Sequence, residues 1–349
     1  MFTILVTGGL GFVGSHTCAA LIEEGYKIII IDSLINSYQD NFNNLLTFSK
    51  KVNSKSEISF FNIDINNKEK LEELFLKAIK EGNKIKAIFH FAGLKSVSES
   101  FLNADKYWIT NVGGTLNIIE MMTKFDCNYL VFSSSASVYD FKKKNKLVEN
   151  DNTHPNSPYG RTKLSNELLL RDLCGSFPKK FNIACLRYFN PVGAHKSYLI
   201  GELPKLNKNN LFPNLCRAAI GEIEYLNLYG NDWDTADGSC IRDFLHIEDL
   251  ARGHIDIFNY LLKNEQEFLI LNLGSGEGFS ILEVIDTFEK TNKCKIPLKI
   301  LPRRIGDVQS LISDISYSKK VIGWFPRFGL KEMCSDSYFW YKLISNKNV

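Results

Sequence analysis

Two apolar rhythms alternate along the first half of the chain. Short, largely β-branched or aromatic runs at Phe2 to Val6, Lys27 to Ile31, Ser59 to Ile63, Ile85 to Phe91, Tyr129 to Ser133 and Asn182 to Arg187 predict strands. Between them, Ser15 to Glu24, Asn67 to Glu81, Ala104 to Lys124 and Tyr159 to Cys174 carry helical spacing, and Gly25 stops the first of these helices. Strands this uniformly apolar are buried on both faces, so the β-α-β-α-β order predicts an α/β fold. Its core is a Rossmann-type, doubly wound parallel sheet. After Pro191 the elements shorten and the loops lengthen. This predicts a first domain over 1–189, a return segment to it near 240–273, and a smaller mixed α/β domain over 190–349. The polar segments 50–57, 142–152 and 207–210 predict solvated loops.

A chain of 349 residues exceeds what one core usually holds, which supports the two-domain division. A net charge of +3 is too small to imply nucleic acid or a membrane surface as partner, so an anionic ligand would need a local cluster of cations. The eight cysteines are scattered without a C-x-x-C pair, which predicts reduced, buried thiols and neither disulfides nor a metal site. The start of the sequence shows no charged-then-apolar leader, and no apolar run approaches the length of a membrane span. The expectation is a cytoplasmic protein.

Chemistry first appears at Thr7-Gly8-Gly9-Leu10-Gly11-Phe12-Val13-Gly14, between the first strand and the first helix. Glycines there let backbone approach a pyrophosphate closely, and the helix that follows presents free N–H groups to the anion. Asp32 ends the second strand, where a carboxylate accepts hydrogen bonds from ribose hydroxyls and repels a 2′-phosphate. The pattern therefore favours NAD over NADP. Asp64-Ile65 follows the third strand and is a candidate neighbour of the adenine, although an Asp there is also a common turn former.

Tyr159 and Lys163 lie four apart on one face of a predicted helix. A tyrosine with its usual pKa of about 10 is a poor base near neutrality, and a nearby ammonium is expected to lower it. The same lysine can hold the nicotinamide ribose. Ser133-Ser134-Ser135 closes the preceding strand, at the ligand-facing edge of a parallel sheet, where a hydroxyl can relay a proton.

Long segments resemble the extended short-chain dehydrogenase/reductases and, within them, the UDP-glucose 4-epimerases. They include TGGLGFVGSH at the start, FAGLKSVSES from Phe91, NVGGTLN from Asn111, SSSASVY from Ser133, SPYGRTK from Ser157 and RYFNPVGA from Arg187. The second half adds NNLFP from Asn209, LYGNDWDTADGSCIRDFLHIEDL from Leu228 and RRIGD from Arg303. The resemblance implies inversion of carbon 4 of a UDP-hexose through transient oxidation with NAD. It implies Tyr159 as base and acid, Lys163 as its activator and Ser135 as its hydroxyl partner. On the cofactor it implies Gly8, Gly11, Phe12, Val13, Gly14, Asp32, Asp64, Ile65, Phe91, Ala92, Lys95, Asn111 (or, for Asn111, anchoring the geometry on the tyrosine side), Ser133, Tyr159, Lys163 and Phe189. On the substrate it implies Lys95, Ser135, Tyr159, Phe189, Asn190, Asn210, Leu211, Leu228, Tyr229, Arg242, Arg304, Asp307 and Leu311. Arg242 and Arg304 would neutralise the diphosphate with forked, charge-assisted bonds. Asp307 would hold the uridine ribose.

Some positions depart from the family pattern. Ser33 stands where Asn is usual and Ser137 where Thr is usual. Leu311 lies where side-chain size limits room beside sugar carbon 2, which leaves N-acetylhexosamines as an open question. A 4,6-dehydratase would carry an acid pair where Ala136 and Ser137 stand. A non-catalytic NAD sensor has no need for Tyr159, Lys163, Ser135 and the arginines together. Apolar outer faces on the helices beginning at Ala104 and Tyr159 favour a homodimer, although ordinary core helices would share that pattern.

Overall fold

The computed structural model describes residues 3–140, 146–177, 180–205, 210–264, 268–304 and 306–346. Phe2 and parts of the predicted loops at 142–152 and 207–210 lie outside them. The chain begins β1 (Thr3–Thr7), α1 (Phe12–Glu23), β2 (Lys27–Asp32), α2 (Asp40–Lys51), β3 (Ile58–Asn62), α3 (Lys68–Lys80) and β4 (Ile85–His90). It continues with α4 (Val97–Leu102), α5 (Ala104–Tyr107), a π-helical stretch (Trp108–Gly113), α6 (Gly114–Phe125), β5 (Tyr129–Ser135), α7 (Pro158–Ser176) and β6 (Asn182–Tyr188).

Strands β1 to β6 pair in parallel, with the order reversing between β1 and β4. Along β1, Ile4 and Val6 pack with α1 on one face, while Leu5 packs with residues of α3 and α6 on the other. Burial on both faces removes the polar alternation that a half-exposed strand would show.

The next elements are β7 (Asn190–Val192), α8 (Leu211–Ala219), β8 (Leu226–Tyr229), β9 (Ile241–Arg242), β10 (Phe244–His246), α9 (Ile247–Lys263) and β11 (Phe268–Leu273). Helix α9 lies against α1, and β11 adds to β6 as the seventh strand of the main sheet. The chain ends with β12 (Phe279–Ser280), α10 (Ile281–Asn292), β13 (Leu298–Leu301), β14 (Ser310–Leu311), α11 (Ser316–Ile322) and α12 (Leu330–Ser345). Helices α8, α10 and α12 share a separate core with Phe212, Leu215, Phe288, Met333 and Trp340. Among the described residues, three small sheets, β7–β10, β12–β9–β14 and β8–β13, complete this part of the molecule.

Three expectations need correction. Helix α1 starts at Phe12, three residues before the predicted Ser15, because Gly11 already has the extended backbone of a cap. The predicted helix from Ala104 to Lys124 is α5, the π stretch and α6, preceded by the separate α4. A π turn inserts one residue without breaking the apolar spacing, so the sequence pattern does not report it. Helix α2 was not predicted at all, since only Leu45, Phe48 and Ser49 of it are buried.

Candidate functional site

A single cleft of about 1410 Å³ opens at the carboxyl ends of the main strands and runs between them and the C-terminal elements. One small ligand needs roughly 300–1,000 Å³, so a cleft this size has room for a dinucleotide and a second ligand together.

Its inner end is the glycine turn. Gly8 has φ +65°, and a side-chain carbon there would stand 2.7 Å from the Ala92 nitrogen. At Gly14 such a carbon would be 2.2 Å from the Gly8 carbonyl oxygen. Glycine is therefore sterically required at both positions. Gly8, Gly11, Phe12, Val13 and Gly14 all face the cleft. Asp32 also faces it, but its carboxylate is partly engaged: it accepts from the Leu10 N–H at 3.1 Å, the Leu34 N–H at 2.9 Å and the Ser37 hydroxyl at 2.7 Å. It therefore organises the turn as well as facing the cleft. Asp64 and Ile65, from the end of β3, complete this wall, with Phe91, Ala92 and Lys95 following β4.

Tyr159, Lys163, Ser133 and Ser135 meet over the ends of β5 and α7. Ser157 caps α7 by accepting from the Gly160 N–H, and Pro158 opens the helix. Lys163 Nζ donates to the Ser133 carbonyl at 2.6 Å and to its hydroxyl at 3.2 Å, and lies 6.0 Å from the Tyr159 ring centre. Burial pushes the Tyr159 phenol up, and the hydrogen bond with Ser135 opposes that shift. Burial also brings the Lys163 ammonium down to about 8. In the protein alone, desolvation is the largest influence on Tyr159, and the hydrogen bond with Ser135 is what opposes it.

Asn111 is the one predicted site residue that does not line the cleft. Its side-chain nitrogen donates to the Leu94 carbonyl and the Thr162 hydroxyl, each at 3.0 Å, and its oxygen accepts from the Leu94 N–H at 2.8 Å. The Thr162 hydroxyl donates in turn to the Tyr159 carbonyl at 2.8 Å. The π stretch thus turns Asn111 inward, between the loop after β4 and the helix that carries Tyr159.

The opposite wall comes from the C-terminal elements. Phe189, Asn190, Asn210, Leu211, Leu228, Tyr229, Arg242, Arg304, Asp307 and Leu311 all line it. Arg242 is ion-paired with Asp307, and the Arg304 guanidinium stacks 3.8 Å over the Tyr229 ring. Asn190 is held by its side-chain nitrogen, which donates to the Asp243 carbonyl at 2.8 Å. Tyr188 and Glu202 are among the cleft residues that escaped the sequence reading. Tyr188 sits inside the RYFN segment, but its hydroxyl turns away to His254 Nε2. Glu202 carried no signal, because it meets Asn210 (2.6 Å) and Lys95 (3.6 Å) only through the fold.

A glycine cradle closed to any side chain, with a strand-end carboxylate beside it, fits a dinucleotide without a 2′-phosphate. The chain belongs to the NAD dependent epimerase/dehydratase family, whose model matches residues 4–274. It is 42% identical over 343 residues to the UDP-glucose 4-epimerase of Dictyostelium discoideum, covering 98% of this chain and 96% of that one. Among solved structures, the UDP-glucose 4-epimerase of Stenotrophomonas maltophila with bound NAD and formylated UDP-arabinopyranose superposes with a TM-score of 0.92 at 36% identity, covering 99% of this chain and 100% of that one. The Bifidobacterium longum UDP-glucose 4-epimerase in complex with NAD+ and UDP gives 0.91 at 36% identity, with 99% of each chain covered.

Proposed function

We propose that this cleft inverts carbon 4 of UDP-hexoses, interconverting UDP-glucose and UDP-galactose with NAD as cofactor. The observation that carries this reading is one continuous cavity shared by the glycine turn with Asp32, the Tyr159–Ser135–Lys163 group, and the Arg242 and Arg304 wall. The chain divides accordingly: residues 1–189 with the return at 240–273 serve the cofactor, and the remainder serves the UDP-sugar.

When bound, the nicotinamide supplies reversible two-electron oxidation at sugar carbon 4. The chain's own task is to move the O4 proton and to hold the nucleotide while the sugar turns. Tyr159 removes the O4 proton and later returns it, with the Ser135 hydroxyl bridging. Lys163, anchored to Ser133, holds the cofactor ribose and stabilises the phenolate. With the cofactor bound, its positive ring would act in the same direction, opposing the desolvation that raises Tyr159 in the protein alone. Gly8, Gly11 and Gly14 cradle the pyrophosphate, Asp32 takes the adenosine ribose, and Asp64 and Ile65 border the adenine. Phe91, Ala92 and Lys95 border the nicotinamide side. Arg242 and Arg304 neutralise the substrate diphosphate, Asp307 holds the uridine ribose, and Leu228 and Tyr229 flank the uracil. Phe189, Asn190, Asn210 and Leu211 complete the binding wall. Firm contacts on the nucleotide leave the sugar free to present either face, so remote binding energy serves the reaction at carbon 4.

Ser135 is followed by Ala136 and Ser137, so no acid pair follows the strand end for the dehydratase alternative. The test is a coupled assay with UDP-galactose and NAD: formation of UDP-glucose supports the reading, and binding without conversion supports the sensor instead. Turnover of UDP-GlcNAc in the same assay decides whether Leu311 leaves room for an N-acetyl group. A homodimer is supported by the apolar side chains that α4, the π stretch, α6 and α7 leave exposed, with Leu102 at 84% and Ile109 at 62%. Light scattering at about twice the chain mass is the expected result. The eight unpaired cysteines support a reducing compartment such as the cytoplasm.

A further inference from the structure

The three serines that close β5 have different partners. Ser133 holds Lys163 and Ser135 meets Tyr159, but the Ser134 hydroxyl donates to Glu167. Glu167 lies one helical turn beyond Lys163 and two beyond Tyr159 on α7. Its carboxylate is gripped from β6: Arg187 Nε donates to one oxygen at 2.9 Å and Nη2 to the other at 2.7 Å. Both side chains are almost fully buried, at 3% and 2% exposure. Arg187 Nη1 donates to the Glu149 carbonyl at 3.0 Å, and the guanidinium lies 4.7 Å over the Tyr139 ring. The Tyr139 hydroxyl donates to Asn272 Oδ1 at 2.6 Å, which ties the cluster to β11.

A buried ion pair is a weak source of net stability, since well-packed apolar residues of similar volume often serve as well. Placement gives this one a different significance. Each of the three elements it joins delivers part of the cleft: α7 brings Tyr159 and Lys163, β5 brings Ser133 and Ser135, and β6 ends at Tyr188, just before Phe189. We propose that Glu167 is a positioning residue for the epimerisation: clamped by Arg187 and Ser134, it sets the reach of α7 over the strand ends and is the fixed counter-charge behind Lys163. This inference rests on the epimerase reading above.

The groups around Lys163 leave that charge role to Glu167. Its own helix contributes Tyr159 and Glu167. From β5 come the Ser133 carbonyl and hydroxyl and the Phe132 ring. From β6 come Cys185 and Tyr188, both held protonated by burial, and Arg187, already paired with Glu167. From β4 comes His90, kept neutral first by burial and then by Lys163 itself. Burial lowers the Lys163 ammonium, and Cys185 and then Glu167 oppose it; of those two, Glu167 is the one that is charged, since burial keeps the thiol protonated. Without the carboxylate, the lysine loses its proton at lower pH.

The experiment measures UDP-galactose turnover against pH for the wild type, Glu167→Asp, Glu167→Gln and the pair E167Q/R187M, which avoids an orphaned buried arginine. Expected for E167Q and the pair is a kcat lower by roughly ten- to hundredfold, near-unchanged KM, and an alkaline limb displaced downward by about one pH unit. Glu167→Asp keeps the charge but shortens the reach, so kcat falls while the alkaline limb stays in place. A folded E167Q/R187M enzyme with wild-type kcat and wild-type alkaline limb overturns the proposal. A wild-type enzyme that does not turn over UDP-galactose overturns the epimerase reading and this inference with it.

Discussion

At the scale of single residues, two tyrosines of the cleft, the buried Tyr159 and the half-buried Tyr188, have different surroundings. Tyr159 meets Ser135 on the cleft side, whereas the Tyr188 hydroxyl is tied to His254. His254 Nδ1 lies 2.8 Å from the Leu250 carbonyl, which makes that nitrogen the donor and leaves Nε2 to accept from Tyr188. Of the two, Tyr159 is the one whose hydroxyl is not tied to a histidine, and the proposed proton exchange is assigned to it. Tyr159→Phe is expected to lower kcat by roughly a hundred- to ten-thousandfold while leaving UDP binding within about twofold of wild type. Steady-state kinetics together with calorimetric titration of UDP checks both parts. Arg242→Ala is expected to do the reverse, weakening the UDP-sugar by roughly tenfold or more through loss of a charge-assisted contact. The check is KM in the same assay. Removing Arg242 also leaves Asp307 without its ion-pair partner.

At the scale of elements, the turn before α1 and the π stretch before α6 do the positioning. The glycine turn was legible from residue types alone, because spacing between a strand and a helix specifies it. Its steric content is visible only in three dimensions: Gly14 stands over the Gly8 carbonyl, so Gly14→Ala must push α1 away from the turn. The expected result is an NAD dissociation constant raised by roughly tenfold or more, read by fluorescence titration, with the far-UV circular dichroism unchanged. The π stretch was not legible. Asn111 was singled out from its motif, but its position beneath the loop after β4, and outside the cleft, follows from one inserted residue that turns the helix face.

At the scale of the molecule, burial of neutral histidines couples the fold to pH. His16 and His90 are held to about 3, and His195 and His254 to about 4, in each case mainly by burial. In the unfolded chain these rings take up protons near 6.5. Between about 6.5 and 4 the unfolded state therefore binds more protons, and stability falls as pH falls. Each such ring contributes up to about 1.4 kcal/mol per pH unit across its window. The urea midpoint should be flat between about pH 7 and pH 8, below the range where the buried Lys163 titrates, and drop steadily below pH 6.5. A midpoint unchanged between pH 7 and pH 5 would contradict the neutral, buried state of these rings.

The sequence by itself determined the parallel α/β architecture, because strands buried on both faces must be apolar throughout and that pattern is local. It also pointed to the nucleotide turn and placed Tyr159 and Lys163 on one helix face, since both rest on short fixed spacings. Tertiary structure decided the rest. Arg187 meets Glu167, Tyr188 meets His254 and Glu202 meets Asn210 only through chain crossings that no short window contains. The fold also decided the ionisation of the site. How far desolvation raises Tyr159 and lowers Lys163 depends on the packing around them, and packing is a property of the folded chain.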